Sequence, residues 1–189
     1  IISASGIEGE HMGEKIIVCG LNGAGKSTLG NHLAKQLGYQ FLDIEDYYFP
    51  EKGGEYPYEN PRTKEEAVIL LRGDLKRYEN CVLAAVKGDF GYEVEGLFTR
   101  AVLVETEKEL RMRRVRERSF AQFGDRMLPG GDLWEREKRF FEMAAGRTDE
   151  EVERWVRELG IPVRRVDGGK GIEENVGIIL RWSEERAGC

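Results

Sequence analysis

The residues of this chain best suited to chemistry begin with Gly20-Leu21-Asn22-Gly23-Ala24-Gly25-Lys26-Ser27-Thr28. Gly20 to Ser27 fits G-x-x-x-x-G-K-[ST], a pattern whose glycines let successive backbone N–H groups turn inward around an anion. Gly20, Asn22, Gly23, Ala24 and Gly25 would form that cradle. Lys26 supplies a point charge for the β- and γ-phosphates of a nucleotide, and Ser27, followed by Thr28, a hydroxyl for magnesium. A helix opening directly after the loop would add the positive end of its dipole.

Acidic residues follow at Asp43, Glu45 and Asp46. Asp43 and Glu45, two apart, would point the same way in an extended segment. Such a pair can hold magnesium through water, orient an acceptor hydroxyl or act as a base; an acidic turn capping the next helix is the alternative. Arg62 stands at the expected first turn of a helix, where a cation opposes the dipole, which points to gripping an anionic acceptor. Lys87-Gly88-Asp89 closes an apolar run at what would be the ligand edge of a sheet. Arg114 and Arg118, four apart, share a helix face with Leu110, and such a run ordinarily means a solvated basic face.

The elements that must position these groups alternate between apolar runs and helical patterns, the mark of βαβ units and a parallel sheet covered on both sides. Strands are expected over 15–19, 39–42, 81–86, 101–105 and 161–166. Helices are expected over 26–37, 62–78, 92–97, from a Thr106/Glu109 capping box onward, 132–159 with a break near Gly146-Arg147, and 172–186. The second strand delivers Asp43 to its carboxyl end. Residues 47–61, rich in aromatics, glycine and proline, read as a loop whose rings either cover an acceptor or pack beneath the loop. From Ser119 to Gly131 the helical pattern is interrupted, leaving an excursion that carries Arg126 and looks like a lid. Asp167-Gly168-Gly169-Lys170-Gly171 is a turn on the ligand edge.

With 189 residues, 40% of them hydrophobic, the chain can build one core, and the expected organisation is a single domain over 12–189. Residues 1–11 read as an expression-vector remnant, with Met12 as the natural start. The acceptor-binding region is expected at about 43–78 and the lid at about 119–131. A formal charge of −6 argues against a general nucleic-acid or membrane-surface binder. Cys19, Cys81 and Cys189 show neither paired nor metal-ligand spacing, and no apolar run approaches a membrane span, so the chain reads as cytoplasmic.

Taken together, the loop Gly20 to Thr28, the Asp43-Ile44-Glu45 step and Arg114-Val115-Arg116-Glu117-Arg118 before the lid resemble the adenylate-kinase-like branch of P-loop kinases, which includes nucleoside monophosphate kinases and shikimate kinase. The resemblance runs from Glu14 to the final helix. It implies an α/β three-layer fold with a five-stranded parallel sheet of order 2-3-1-4-5 and a small lid. By the same resemblance the cofactors are ATP and Mg2+, Arg114 packs on the adenine, Gly168 and Lys170 lie beside it, Arg118 reaches the phosphates and Arg126 closes over the moving phosphoryl group. Asp43 is similar to the carboxylate that shikimate kinase uses near magnesium, so Ser27 and Asp43 form the expected metal pair. Asp43, Glu45, Asp46, Arg62, Lys87, Gly88 and Asp89 are the expected acceptor contacts. The third strand ends in Lys87-Gly88-Asp89 where shikimate kinase has a glycine triplet, and the lid lacks the paired aspartates of adenylate kinase. The reading is ATP-dependent phosphoryl transfer to a small-molecule acceptor, catalysed through Lys26, Arg118, Arg126 and Asp43. Its rival is an NTPase switch or sensor without an acceptor.

Overall fold

The computed structural model describes residues 13–50 and 56–187. Five parallel strands lie in the order β2-β3-β1-β4-β5, with β1 at Lys15–Cys19, β2 at Gln40–Asp43, β3 at Cys81–Ala84, β4 at Arg100–Glu105 and β5 at Val163–Asp167. Alternation along β1 divides its side chains between the two faces of the sheet. Ile16 and Val18 join the core beneath α1 (Lys26–Leu37) and α8 (Ile172–Ala187), with Leu29, Leu33, Val176 and Ile179. Ile17 and Cys19 face the core beneath α2 (Ile44–Tyr48), α3 (Lys64–Arg77), α4 (Tyr92–Glu95) and α7 (Asp149–Glu158), with Tyr47, Leu71, Val94 and Trp155. This is the expected three-layer arrangement with the expected strand order. Cys19 and Cys81 are fully buried, and desolvation pushes their thiols up to about 12 and about 11, so both serve as small core residues.

From β4 the chain enters α5 (Lys108–Phe123), a 3-10 turn (Gly124–Met127) and α6 (Trp134–Gly146). Here a third, smaller core gathers Tyr56, Phe123, Met127 and Leu133, with Tyr58 and Phe141 against it.

Several expected boundaries move, each for a local reason. The helical pattern does not break at Ser119. Ser119 and Phe123 are buried on the inward face of α5, which continues to a Gly124 with φ 55°. No capping box forms at Thr106: Glu107 is the N-cap of α5, and the Thr106 hydroxyl donates to the Ala24 carbonyl instead. A capping box does form at Thr63 and Glu66, so α3 starts at Lys64 and Arg62 lies outside it. On that helix Ala67, Leu71 and Leu75 are buried, whereas Leu70 is 45% exposed. Residues 44–48, read partly as loop, are the helix α2, and α6 starts at Trp134 rather than Asp132. The expected break near Gly146-Arg147 is present, and Gly38 ends α1 in the left-handed conformation. Residues 1–12 and Cys189 lie outside the described residues, as does the 51–55 part of the expected acceptor region. Among the described residues no helix is long and apolar enough to cross a membrane.

Candidate active site

Parallel register sets the ligand edge. Asp43 pairs with Ala84, and Ala84 with Val18, so the end of β2 is level with the point where β1 gives way to the glycine loop. The Gly20 amide donates to Val86 (3.0 Å), extending the ladder by one bond beyond the strand. Gly20 (φ 143°) and Gly23 (φ 80°) adopt backbone that L side chains rarely enter, and a Cβ on either would strike the carbonyl of Val104 or Arg111. The loop is therefore packed closely between β4 and the first turn of α5.

The open cleft above this edge has a cavity volume of about 200 Å³. On one side stand Asn22, Gly23, Gly25, Lys26, Ser27 and Thr28, on another Asp43 and Glu45, and on a third Arg114 and Arg118. Arg114 and Arg118 face it together because they are one helical turn apart on α5. Asp43 and Glu45 face it for a reason other than the expected one. Glu45 lies in the first turn of α2, and Asp43 is the N-cap, its Oδ1 accepting from the Glu45 amide at 3.0 Å. Capping and cleft lining thus coexist in Asp43.

Lys26 Nζ donates to the Leu21 carbonyl at 3.0 Å. Desolvation lowers its pKa from 10.5 to about 8; Glu45 and Asp43 oppose that shift, and Arg118 adds to it. With a pKa just above neutrality Lys26 is still mostly an ammonium at pH 7, and an anion placed beside it would raise that pKa again.

A second cavity adjoins the first, with Ile44 and Val86 as shared walls. Lys87, Asp89, Arg147, Thr148 and Glu151 line it, and Lys87 Nζ lies 3.3 Å from Asp89 and 3.9 Å from Glu151. Gly168, Lys170, Gly171, Ile172 and Asn175 surround a third hollow beside Ala24, Gly25 and Arg114. Arg114 is common to that hollow and the phosphate cleft, while the Lys170 ammonium turns to Glu174 at 2.7 Å.

Other expected contacts stand apart. The Arg62 guanidinium donates to the Tyr47 carbonyl (2.9 Å) and its amide to Tyr48 (2.8 Å), so Arg62 fastens the end of α2. Arg126 is held by Asp132 at 2.6 Å, and Arg126 keeps the Asp132 carboxyl below its ordinary range. Asp46 is exposed on α2 and lines neither of the two adjoining cavities. Gly88 backs onto Ile17 and Trp155 rather than lining the second cavity.

Sequence reasoning missed the arginines that hold the loop. Arg111 is buried, donating through Nε to Thr106 and through Nη1 to the Asn22 carbonyl, both at 3.2 Å. Arg147 donates to Asn22 Oδ1 at 2.8 Å from the turn between α6 and α7. Its position directly before Thr148-Asp149-Glu150 marks a helix start, but nothing local says that this turn reaches residue 22.

A divalent ion fits this donor set. Among the described residues no group of three or more His, Cys, Asp or Glu side chains could form a protein-only cage. Magnesium, however, takes one or two carboxylates and fills its octahedron with water and substrate phosphate. Ser27 and Asp43 on the walls of one cleft meet that description.

Residues 16–121 match a family model described as "AAA domain". The uncharacterised protein YqaC of Bacillus subtilis (strain 168) is 30% identical over 179 residues, 90% of this chain and 98% of that protein. A shikimate kinase of Vibrio cholerae is 38% identical over 86 residues, 41% of this chain and 48% of its own length. Among solved structures, a shikimate kinase from Acinetobacter baumannii in complex with shikimate superposes with a TM-score of 0.60 at 19% identity, over 92% of this chain and 94% of the other. A gluconokinase from Sinorhizobium meliloti 1021 gives a TM-score of 0.56 at 16% identity, over 93% and 97%. With its phosphate loop and matched residues in agreement, this chain belongs to the family which that AAA-domain model describes, and its sheet order is that of the P-loop fold.

Proposed function

We propose that this chain transfers the γ-phosphoryl group of ATP to a hydroxyl of a small acceptor. The observation that carries the reading is the convergence on one cleft of the phosphate loop, a carboxylate pair at Asp43 and Glu45 and an arginine pair at Arg114 and Arg118, with a second cavity of mixed polar and apolar lining beside it. A binding loop alone would serve a switch. Carboxylates facing the phosphates, with room for a second ligand, suit transfer.

In this reading the triphosphate lies in the N–H cradle, and Lys26 and Arg118 neutralise charge on the moving phosphoryl group. Arg114 lies against the base, above the hollow formed by Gly168 to Asn175. Bound magnesium, held through Ser27 and Asp43, would supply further neutralisation of the phosphates. An acceptor in the second cavity, along Lys87, Asp89, Arg147 and Glu151, presents its hydroxyl to Asp43 or Glu45. The acceptor oxygen forms its bond to the γ-phosphorus as the bond to the β,γ-bridging oxygen breaks, and the hydroxyl proton passes to the carboxylate. The protein supplies position and charge rather than covalent chemistry. The acceptor class is a nucleotide, a nucleoside or a small hydroxylated metabolite.

The test is ADP release measured across a panel of hydroxyl acceptors. One acceptor should raise release well above the rate with ATP alone, and Lys26→Ala should remove that gain by about 10²-fold or more. Hydrolysis indifferent to every acceptor would instead identify a switch, and unchanged turnover in Lys26→Ala would sink the assignment.

A further inference from the structure

The hollow beside Arg114 is walled in part by Asn175, whose buried amide oxygen has no partner among the described residues. The hollow has a cavity volume of about 330 Å³, and Ala24, Leu29, Val104 and Ile172 make much of its wall apolar. Apolar wall bordered by a guanidinium suits a flat heterocycle. Gly25, Thr28 and Arg114 line both this hollow and the phosphate cleft, so a ligand with phosphates in the cleft can place its base here. The turn that closes the hollow is held in place: the Gly168 amide donates to the Glu105 carbonyl at 2.7 Å and the Lys170 amide to the Asp167 carbonyl at 3.1 Å. A Cβ on Gly168 would lie 2.6 Å from the Ala24 carbonyl oxygen, so this turn packs directly on the phosphate loop.

Asn175 lies near the start of α8, where side chains lean back toward the helix N-terminus and hence toward the ligand edge of the sheet. Its Nδ2 donates to the Asp167 carbonyl, at the end of β5, at 2.8 Å. That bond decides which end of the amide is which, because the turned amide would set oxygen against oxygen. Oδ1 is therefore an acceptor that no protein group meets, in a side chain belonging to a residue only 2% exposed. Burying an amide oxygen without a donor is unfavourable, and a leucine of similar size would incur no such penalty. A ligand that brings an N–H to this wall offsets it.

We infer that Asn175 is the residue that selects the nucleobase, its Oδ1 accepting from the exocyclic amine of adenine. The assignment rests on the reading of this hollow as the base site in the proposed transfer. Guanine carries a carbonyl oxygen where adenine carries that amine and would set acceptor against acceptor. The amide cannot turn to relieve this while Asp167 holds its nitrogen.

Binding of magnesium diphosphates, read by calorimetric titration with no acceptor and no turnover, tests the assignment. ADP should bind at least about tenfold more tightly than GDP, and than the diphosphate of purine riboside, which has the adenine ring without the amine. Asn175→Leu keeps the volume and removes the acceptor, so it should bring ADP and the purine riboside diphosphate to equal affinity. Asn175→Ala should do the same, and it decides the point if a melt shows that the leucine variant does not fold. Equal affinities in the unaltered chain, the result expected if a water meets Oδ1 with or without nucleotide, would overturn the inference. A preference for ADP that survives both substitutions would overturn it too, since another group would then read the amine. The expected preference, lost in the variants, together with no acceptor that supports transfer would count against the kinase reading alone. Failure of every diphosphate to bind would remove the nucleotide site and this inference with it.

Discussion

Lys26 shows how far one residue can be read. Its place after Gly25 announces a phosphate ligand, but its pKa follows from the enclosure that lowers it to about 8. Between that value and 10.5 the unfolded chain holds a proton that folded Lys26 has released, so this group adds stability as pH rises through the window. Phosphate binding works the other way, because it needs the charged form and takes up a proton. Affinity for an ATP analogue should therefore weaken above pH 8, approaching about tenfold per pH unit, and the loss should vanish in Lys26→Met. Calorimetric titration in buffers of different ionisation enthalpy checks both the affinity and the proton uptake; a pH-independent Kd would refute it. Asp43 and Arg62 mark the limit of such reading. Both suit a ligand by type and position, but Asp43 caps a helix while facing the cleft and Arg62 is bonded to Tyr47.

At the scale of elements, α5 does two jobs on two faces. Arg114 and Arg118 look into the cleft, and buried Arg111 holds the Asn22 and Thr106 carbonyls. The four-residue spacing made the first face legible. The second was not, since Arg111 in a run of arginines carries no local mark of burial and its partners lie 89 residues and 5 residues away. Arg111→Ala should unpair two carbonyls around the phosphate loop, costing about 1–3 kcal/mol of stability and weakening nucleotide binding more than Arg113→Ala on the exposed face. Thermal melts with and without ATP analogue would reveal this, and equal effects of the two substitutions would contradict it. The misread cap has the same origin. Thr106 and Glu109 fit a capping box locally, but the Ala24 carbonyl competes for the hydroxyl and wins because the loop lies against it.

At the scale of the molecule, the layers meet closely at the ligand edge. A Cβ on Gly88 would lie 2.7 Å from Ile17 and 2.8 Å from Trp155, so Gly88→Ala should cost about 1–3 kcal/mol through overpacking, seen as a lower urea midpoint. An unchanged midpoint would show that α7 yields at this point. The sequence alone determined the phosphate loop, the alternation of strand and helix and the break at Gly146, because each depends on neighbours within a turn or a strand. The tertiary structure alone decided that Arg111 and Arg147 grip Asn22, that Asp43 both caps and faces the cleft, and that Tyr56 meets Glu137 across 81 positions. Apart from the Asp43 cap, which joins residues two apart, those contacts arise where segments far apart in the chain are brought together by burial of the sheet, and no local spacing encodes them.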